Sequence, residues 1–295
     1  MFALISAMVI WGTLGVFALW SGLNATDLAF TRCVIGGGLL FFYCVYKKEL
    51  NTKNLNLKSM FFAIISGVFI VFNWVLLFKS FQLSSITIGN VSYYLQPIFL
   101  VILGVLFLKE KVSLTQWGFI LLTTLGVILT ANLQLSQLDA SNYLFLGMLA
   151  AIAAGLLYSF ATLIIKYVDG ITPSLLTLIQ LLLGSVILLP AVDFSHFYQI
   201  SNNAWTNIFI IGVIHTALAY ILYYQSLKKV NIMFIAIISY LDPIVAIFSD
   251  VIFFNRHLGM IQYLGILLTF IGSYFVITLK VKPKEIEVEG VVVGG

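Results

Sequence analysis

Two dipeptides stand 146 residues apart, Gln96-Pro97 and Asp242-Pro243, each in the middle of an apolar run. An ionised carboxylate at mid-membrane costs about 2.5–3.5 kcal/mol on insertion scales, and proline removes a backbone hydrogen bond from its helix. Pro97 and Pro243 leave the carbonyls of Tyr93 and Ser239 in need of other partners. Asp242 is the leading candidate for chemistry. It can load and release a proton, or stay charged against a bound organic ammonium; the alternative is a hydrogen-bonded acid that fixes helix packing. His215 falls near the same depth and is its natural proton partner, with a packing role as the alternative. Asn73 and Gln96 offer amides at depth, and Tyr93 shares an inward face with them. Trp11 and Tyr158 occupy comparable early positions in two halves of the chain. The predicted binding set is Trp11, Asn73, Tyr93, Gln96, Tyr158, His215 and Asp242, with Asp242 and His215 also in a coupling role. Aromatic walls beside an acid suit an organic cation. Arg32 lies five residues from the end of its run, within snorkelling range, and Asp250 lies at a similar depth. They are expected to form a structural or gating ion pair, the alternative being direct carboxylate binding by Arg32.

These side chains must be held by membrane helices. Of 295 residues 61% are hydrophobic and 9% charged, against roughly 25% charged in soluble domains. Ten apolar blocks follow one another, at about 2–20, 27–46, 59–79, 85–107, 114–131, 143–165, 173–192, 205–227, 231–254 and 259–279. Each approaches the length that carries a helix across about 30 Å of hydrocarbon. Alternating strands are absent, which argues against a membrane barrel. Twelve lysines fall in one alternate set of loops and the tail, against Lys79 and Arg256 in the other. This positive-inside bias predicts a multi-pass protein of the cytoplasmic membrane with both termini cytoplasmic, and it accounts for the net charge of +4 without nucleic acid. Cys33 and Cys44 lie eleven residues apart, about 16 Å along one helix, too far to bridge. No metal-ligand spacing or nucleophile motif is present, so no metal, cofactor or catalytic set is expected. The stretch "EIEVEGVVVGG" after Lys284 is set aside as a disordered or non-native tail.

Sliding the chain by 146 residues aligns its halves without gaps across three helices. Matches include Tyr94/Tyr240, Leu95/Leu241, Pro97/Pro243, Gln116/Gln262, Thr123/Thr269 and Gly126/Gly272. Apolar runs match by chance at Leu and Ile, but not together at proline, glutamine and glycine. Five spans per half is an odd number, so the second half enters the membrane inverted. The boundaries read as 1–131 for the first repeat, 132–142 for an outer linker, 143–280 for the second repeat and 281–295 for the tail. Inverted repeats around a mid-membrane site are the construction of secondary transporters.

The chain resembles the drug/metabolite transporter superfamily, in its ten-helix EamA type. The resemblance is carried by "WG" at 11–12, Arg32, the run from Asn73 through Ser80 to "YYLQP", and "LKEKVSLTQWGFILLTTLGVIL", all echoed in the second half. It covers roughly residues 1–280, and departs where Asn255-Arg256-His257 stands in place of Glu110. It implies an all-α bundle of two five-helix repeats around a central cavity. The function implied is movement of a small organic metabolite, such as an amino acid or amine, with export favoured. Import or facilitated passage of choline-like, nucleoside-like or drug-like compounds remains open, as do proton coupling and uniport. An intramembrane enzyme or a channel is the minor alternative.

Overall fold

Backbone amides have no water to bond in hydrocarbon, so an apolar run that crosses it must satisfy them internally, as a helix does. The computed structural model describes residues 2–50, 56–84, 86–130, 142–254 and 258–278, and among these there is no strand. Eight segments are long and apolar enough to cross a membrane. Two shorter apolar helices, Leu114–Leu129 and Met260–Val276, take the fifth and tenth places. The fold is the ten-helix bundle the sequence predicts. Residues 131–141 and 279–295, which take in the expected tail (281–295) and all but the last residue of the expected linker (132–142), lie outside the described residues.

Polar caps start the helices where the loops end. Asn24 accepts from the Asp27 amide at the start of the second span, Ala25–Tyr46. Thr172 caps the seventh span, Pro173–Leu188, and Asn231 caps the ninth. Each satisfies one of the orphan amides of a first helical turn.

Among the described residues four spans are irregular at mid-length, and three of them are broken there. The fourth divides into Ile86–Tyr93 and Gln96–Leu108, and the ninth into Ile232–Ser239 and Leu241–Phe254. Both prolines sit in the first turn of the second segment, where a missing amide hydrogen costs no helical bond. The first span also breaks, at Thr13, into Phe2–Gly12 and Leu14–Ser21. The sequence, which holds no proline there, suggests one continuous helix. The Thr13 hydroxyl bonds back to the Ile10 carbonyl at 2.8 Å and meets His215 Nε2 at 2.9 Å, and these contacts occupy the interruption. The eighth span runs as Asn202–Ile210, a π-helical turn over Ile211–Leu218, and Ala219–Leu227.

The packing repeats the internal symmetry. The third span (Leu57–Leu83) lies along the sixth (Asn142–Ile165), and the first lies along the eighth in the same way. The second packs on the seventh and the fifth on the tenth. In the last pair a Cβ on Gly126 would meet the Thr269 amide, and one on Gly272 would meet the Thr123 amide, a reciprocal close approach. Trp74 and Tyr220, equivalent by the 146-residue register, touch across the centre: the indole Nε1 donates to the Tyr220 hydroxyl at 2.8 Å. The repeats face one another about the cavity.

Candidate functional site

The breaks in the first, fourth and ninth spans meet at a central cavity of about 110 Å³. That is room for about four water molecules, at roughly 30 Å³ each as in the liquid. Small residues bring the helices together there. Gly12 of the first span lies on the ninth-span break, where a Cβ would come within 2.8 Å of the Asp242 carbonyl and 2.5 Å of Val245 Cβ. Gly155 of the sixth span does the same at the fourth-span break, 3.1 Å from the Tyr93 carbonyl and the Gln96 Cβ.

Six of the seven predicted binding residues line this cavity: Trp11, Asn73, Tyr93, Gln96, Tyr158 and Asp242. Asn73 is fixed by donating to the Ala154 carbonyl at 2.8 Å and the Tyr93 hydroxyl at 3.3 Å. Trp11 stands edge-on to Tyr158 and Tyr220, with ring centres 6.3 and 4.9 Å away. The Gln96 carbonyl accepts from Ser159 at 3.0 Å, while its Nε2 is buried and unpaired. Among the described residues Asp242 accepts no hydrogen bond and pairs with no cation, although it lines the cavity.

His215 is the exception. It lies behind the wall, its ring against Phe17 with centres 5.0 Å apart and its Nε2 on Thr13. Its backbone does more than its ring: the His215 carbonyl accepts from Trp11 Nε1 at 2.9 Å and from Arg32 at 3.4 Å. That carbonyl lies in the π-helical turn, a distortion that recurs at functional sites.

Arg32 departs from its expected place. It is 1% exposed and lines the cavity instead of snorkelling to the end of its span. Its guanidinium carbon stands 4.4 Å from the Trp74 ring centre, and Nε donates to Thr216 Oγ1 at 2.9 Å. The expected pairing with Asp250 falls on a side chain outside the described residues. Among the described residues no carboxylate pairs with Arg32, Asp242 included. Trp74 and Tyr220, equivalent positions of the two repeats, are also in the wall.

The cavity thus offers an arginine over an indole ring, an untied carboxyl, an unpaired amide and a ring of aromatic edges. The donors of Arg32 not used by the protein can take a carboxylate or another anion, and Asp242 can take an ammonium or a proton. No group of three or more metal-ligating side chains occurs among the described residues.

A polar site at mid-depth between two inverted repeats defines a membrane transporter. The chain belongs to the EamA-like transporter family, which matches residues 1–132 and 145–278. It is similar to the uncharacterized transporter YxxF of Bacillus subtilis, 32% identical over 291 residues, covering 97% of this chain and 92% of that protein. The uncharacterized transporter YwfM of the same organism is 27% identical over 296 residues, covering 97% and 96%. A solved crystal structure, 15% identical, shares the fold with a TM-score of 0.78 over 94% of this chain and 95% of its own.

Proposed function

We propose that the protein is a secondary carrier that exports a small zwitterionic metabolite, an amino acid or a close relative, by alternating access. The observation that carries this reading is a guanidinium and a carboxyl in one cavity, neither paired with an opposite charge among the described residues. Arg32 would receive the carboxylate, Asp242 the ammonium, and the aromatic edges of Trp11, Tyr93 and Tyr158 the body of the solute. An amine alone would leave a buried guanidinium without work, and a buried charge without a partner is costly. The repeats, 1–131 and 143–280, are the units that rock against each other, joined by 132–142. The lysine bias supports a place in the cytoplasmic membrane with both termini inside. Asp242 also supplies the proton site for coupling, because it alternates with the solute in the same cavity.

Counterflow in proteoliposomes tests this, with radiolabelled amino acids on one side and unlabelled on the other. Saturable, trans-stimulated exchange is expected; flux that neither saturates nor responds to solute on the far side would mean a channel. Asp242→Asn should lower exchange at least about tenfold, the loss of one charge-assisted contact, and abolish the response to an imposed pH gradient. Wild-type rates and pH response in that variant would overturn the role of Asp242.

A further inference from the structure

The two ends of the cavity are built differently. At the lysine-rich end, Gln96–Leu108 of the fourth span packs against Ile232–Ser239 of the ninth and closes the cavity. At the opposite end their counterparts, Ile86–Tyr93 and Leu241–Phe254, make no comparable packing among the described residues. The cavity passes between them, lined by Asn90 and Tyr93 on one side and Asp242 and Ala246 on the other.

One carboxylate pins the closed end. The fourth span ends at Lys109, whose backbone is left-handed (φ 56°), and the amides of Lys109 and Glu110 both return to the Gly104 carbonyl. This turn throws Glu110 across the seam. Its Oε1 accepts from the Ile232 amide at 2.8 Å and its Oε2 from the Met233 amide at 3.2 Å. Those amides open a helix and have no acceptor within it, so the carboxylate meets two orphan donors and the positive end of the helix dipole. Gly104 makes the approach possible: a Cβ there would lie 3.0 Å from Ile232 Cγ2. The contact joins the two repeats, Glu110 from the first and Ile232 from the second.

The repeat register assigns counterparts to each of these groups. Gly104, Glu110 and Ile232 correspond to Asp250, Arg256 and Ile86. A guanidinium carries donors only and cannot accept from helix N-terminal amides. Arg256 therefore cannot make at the opposite end the bond that Glu110 makes here. The asymmetry lies in the sequence, and the structure shows its consequence at one end.

We propose that Glu110 is a conformational latch, holding the lysine-rich end shut and biasing the carrier toward the conformation open at the other end. It releases the Ile232 and Met233 amides each time the closed end opens. What the latch serves rests on the alternating-access reading, but its existence is tested without any transported solute. Cysteines are placed singly in a Cys33→Ala, Cys44→Ala background, as Ala236→Cys beneath the latch and Ala246→Cys in the open part of the cavity. Labelling by a polar maleimide is then timed on the full-length protein in detergent. With Glu110 intact, Ala246→Cys should label fast and Ala236→Cys slowly. Glu110→Ala should speed the second by about tenfold, the scale of lost charge-assisted bonds, and slow the first. Glu110→Gln, which keeps one acceptor without the charge, should fall between. Unchanged rates at both positions in Glu110→Ala overturn the latch, and so does a rise at both, which would report general loosening. If the rates move as expected while no amino acid exchanges, the latch stands and the substrate reading falls.

Discussion

The two broken helices at the centre differ less in how they break than in how they are tied. Around Gln96 the break is knitted: Ser159 bonds its carbonyl, Gly155 seats the sixth span on it, and Asn73 holds the neighbouring Tyr93. Around Asp242 the first span packs just as closely through Gly12, yet no hydrogen bond or ion pair ties the acid among the described residues. Duplication supplied two equivalent breaks, and only one of them is left with a titratable group facing open space. The first reads as scaffold and the second as the moving chemical part.

The sharpest way to break this comparison is to exchange the two residues. Asp242→Gln alone should cost at least about tenfold in exchange, as for Asp242→Asn. Adding Gln96→Asp returns a carboxyl to the same cavity from the other repeat. Solute binding, followed as a rise in melting temperature, should recover to within about tenfold of the natural protein. Exchange should stay low, because the Gln96 break is tied to Ser159 and the sixth span. Full recovery of exchange would show the two breaks to be interchangeable and the difference in their surroundings to be incidental.

Arg32 sharpens the same contrast from the other charge. Lysine in its place keeps the charge but loses the planar fork and the stacking on Trp74. Arg32→Lys should raise the half-saturating solute concentration by about tenfold with a smaller effect on maximal rate, the loss of a bidentate geometry being worth about 1.4 kcal/mol. A fall in maximal rate with unchanged half-saturation would move Arg32 from solute binding to conformational change.

Much of this architecture is legible in the amino-acid sequence alone. Span count, inversion and the wall residues from Trp11 to Asp242 follow from apolar length, register and the cost of polar groups in hydrocarbon. Arg32 escapes that reading because depth along a helix does not say which way a long side chain turns; the Thr216 hydroxyl and Trp74 face that hold it come from other spans. His215 draws attention as a cavity residue, whereas the structure places its ring on Thr13 behind the wall and its carbonyl on Trp11 and Arg32. A π-helical turn has no sequence signature to announce it. The break at Thr13 is hidden for a related reason, since its partner lies 202 residues away. Glu110 is visible as a residue without a counterpart, but its target amides in the ninth span depend on the turn through Lys109.

A tied acid also exists near the end of the second span, and it gives the comparison its mildest test. Asp27 is buried and accepts from Asn24 Nδ2 at 2.8 Å, the Asp193 amide at 3.2 Å and His196 Nδ1 at 2.7 Å. His196 stands outside the spans, and the hydrogen bond to Asp27 raises its pKa above the usual 6.5. A group raised in the folded state contributes stability fully present below about pH 6.5 and lost as pH climbs through the raised value. Asp193 works in the other direction: hydrogen bonds from Ser195 lower it from 3.8, so its contribution is complete at neutral pH and is lost only on strong acidification. Between pH 6 and 8 the melting temperature should therefore fall slightly, on the order of 1 °C for so exposed a partner. His196→Gln should flatten that slope while leaving exchange rates unchanged. A transport defect in His196→Gln would mean that the tied acid takes part in the cycle, and that being tied does not by itself mark an acid as structural.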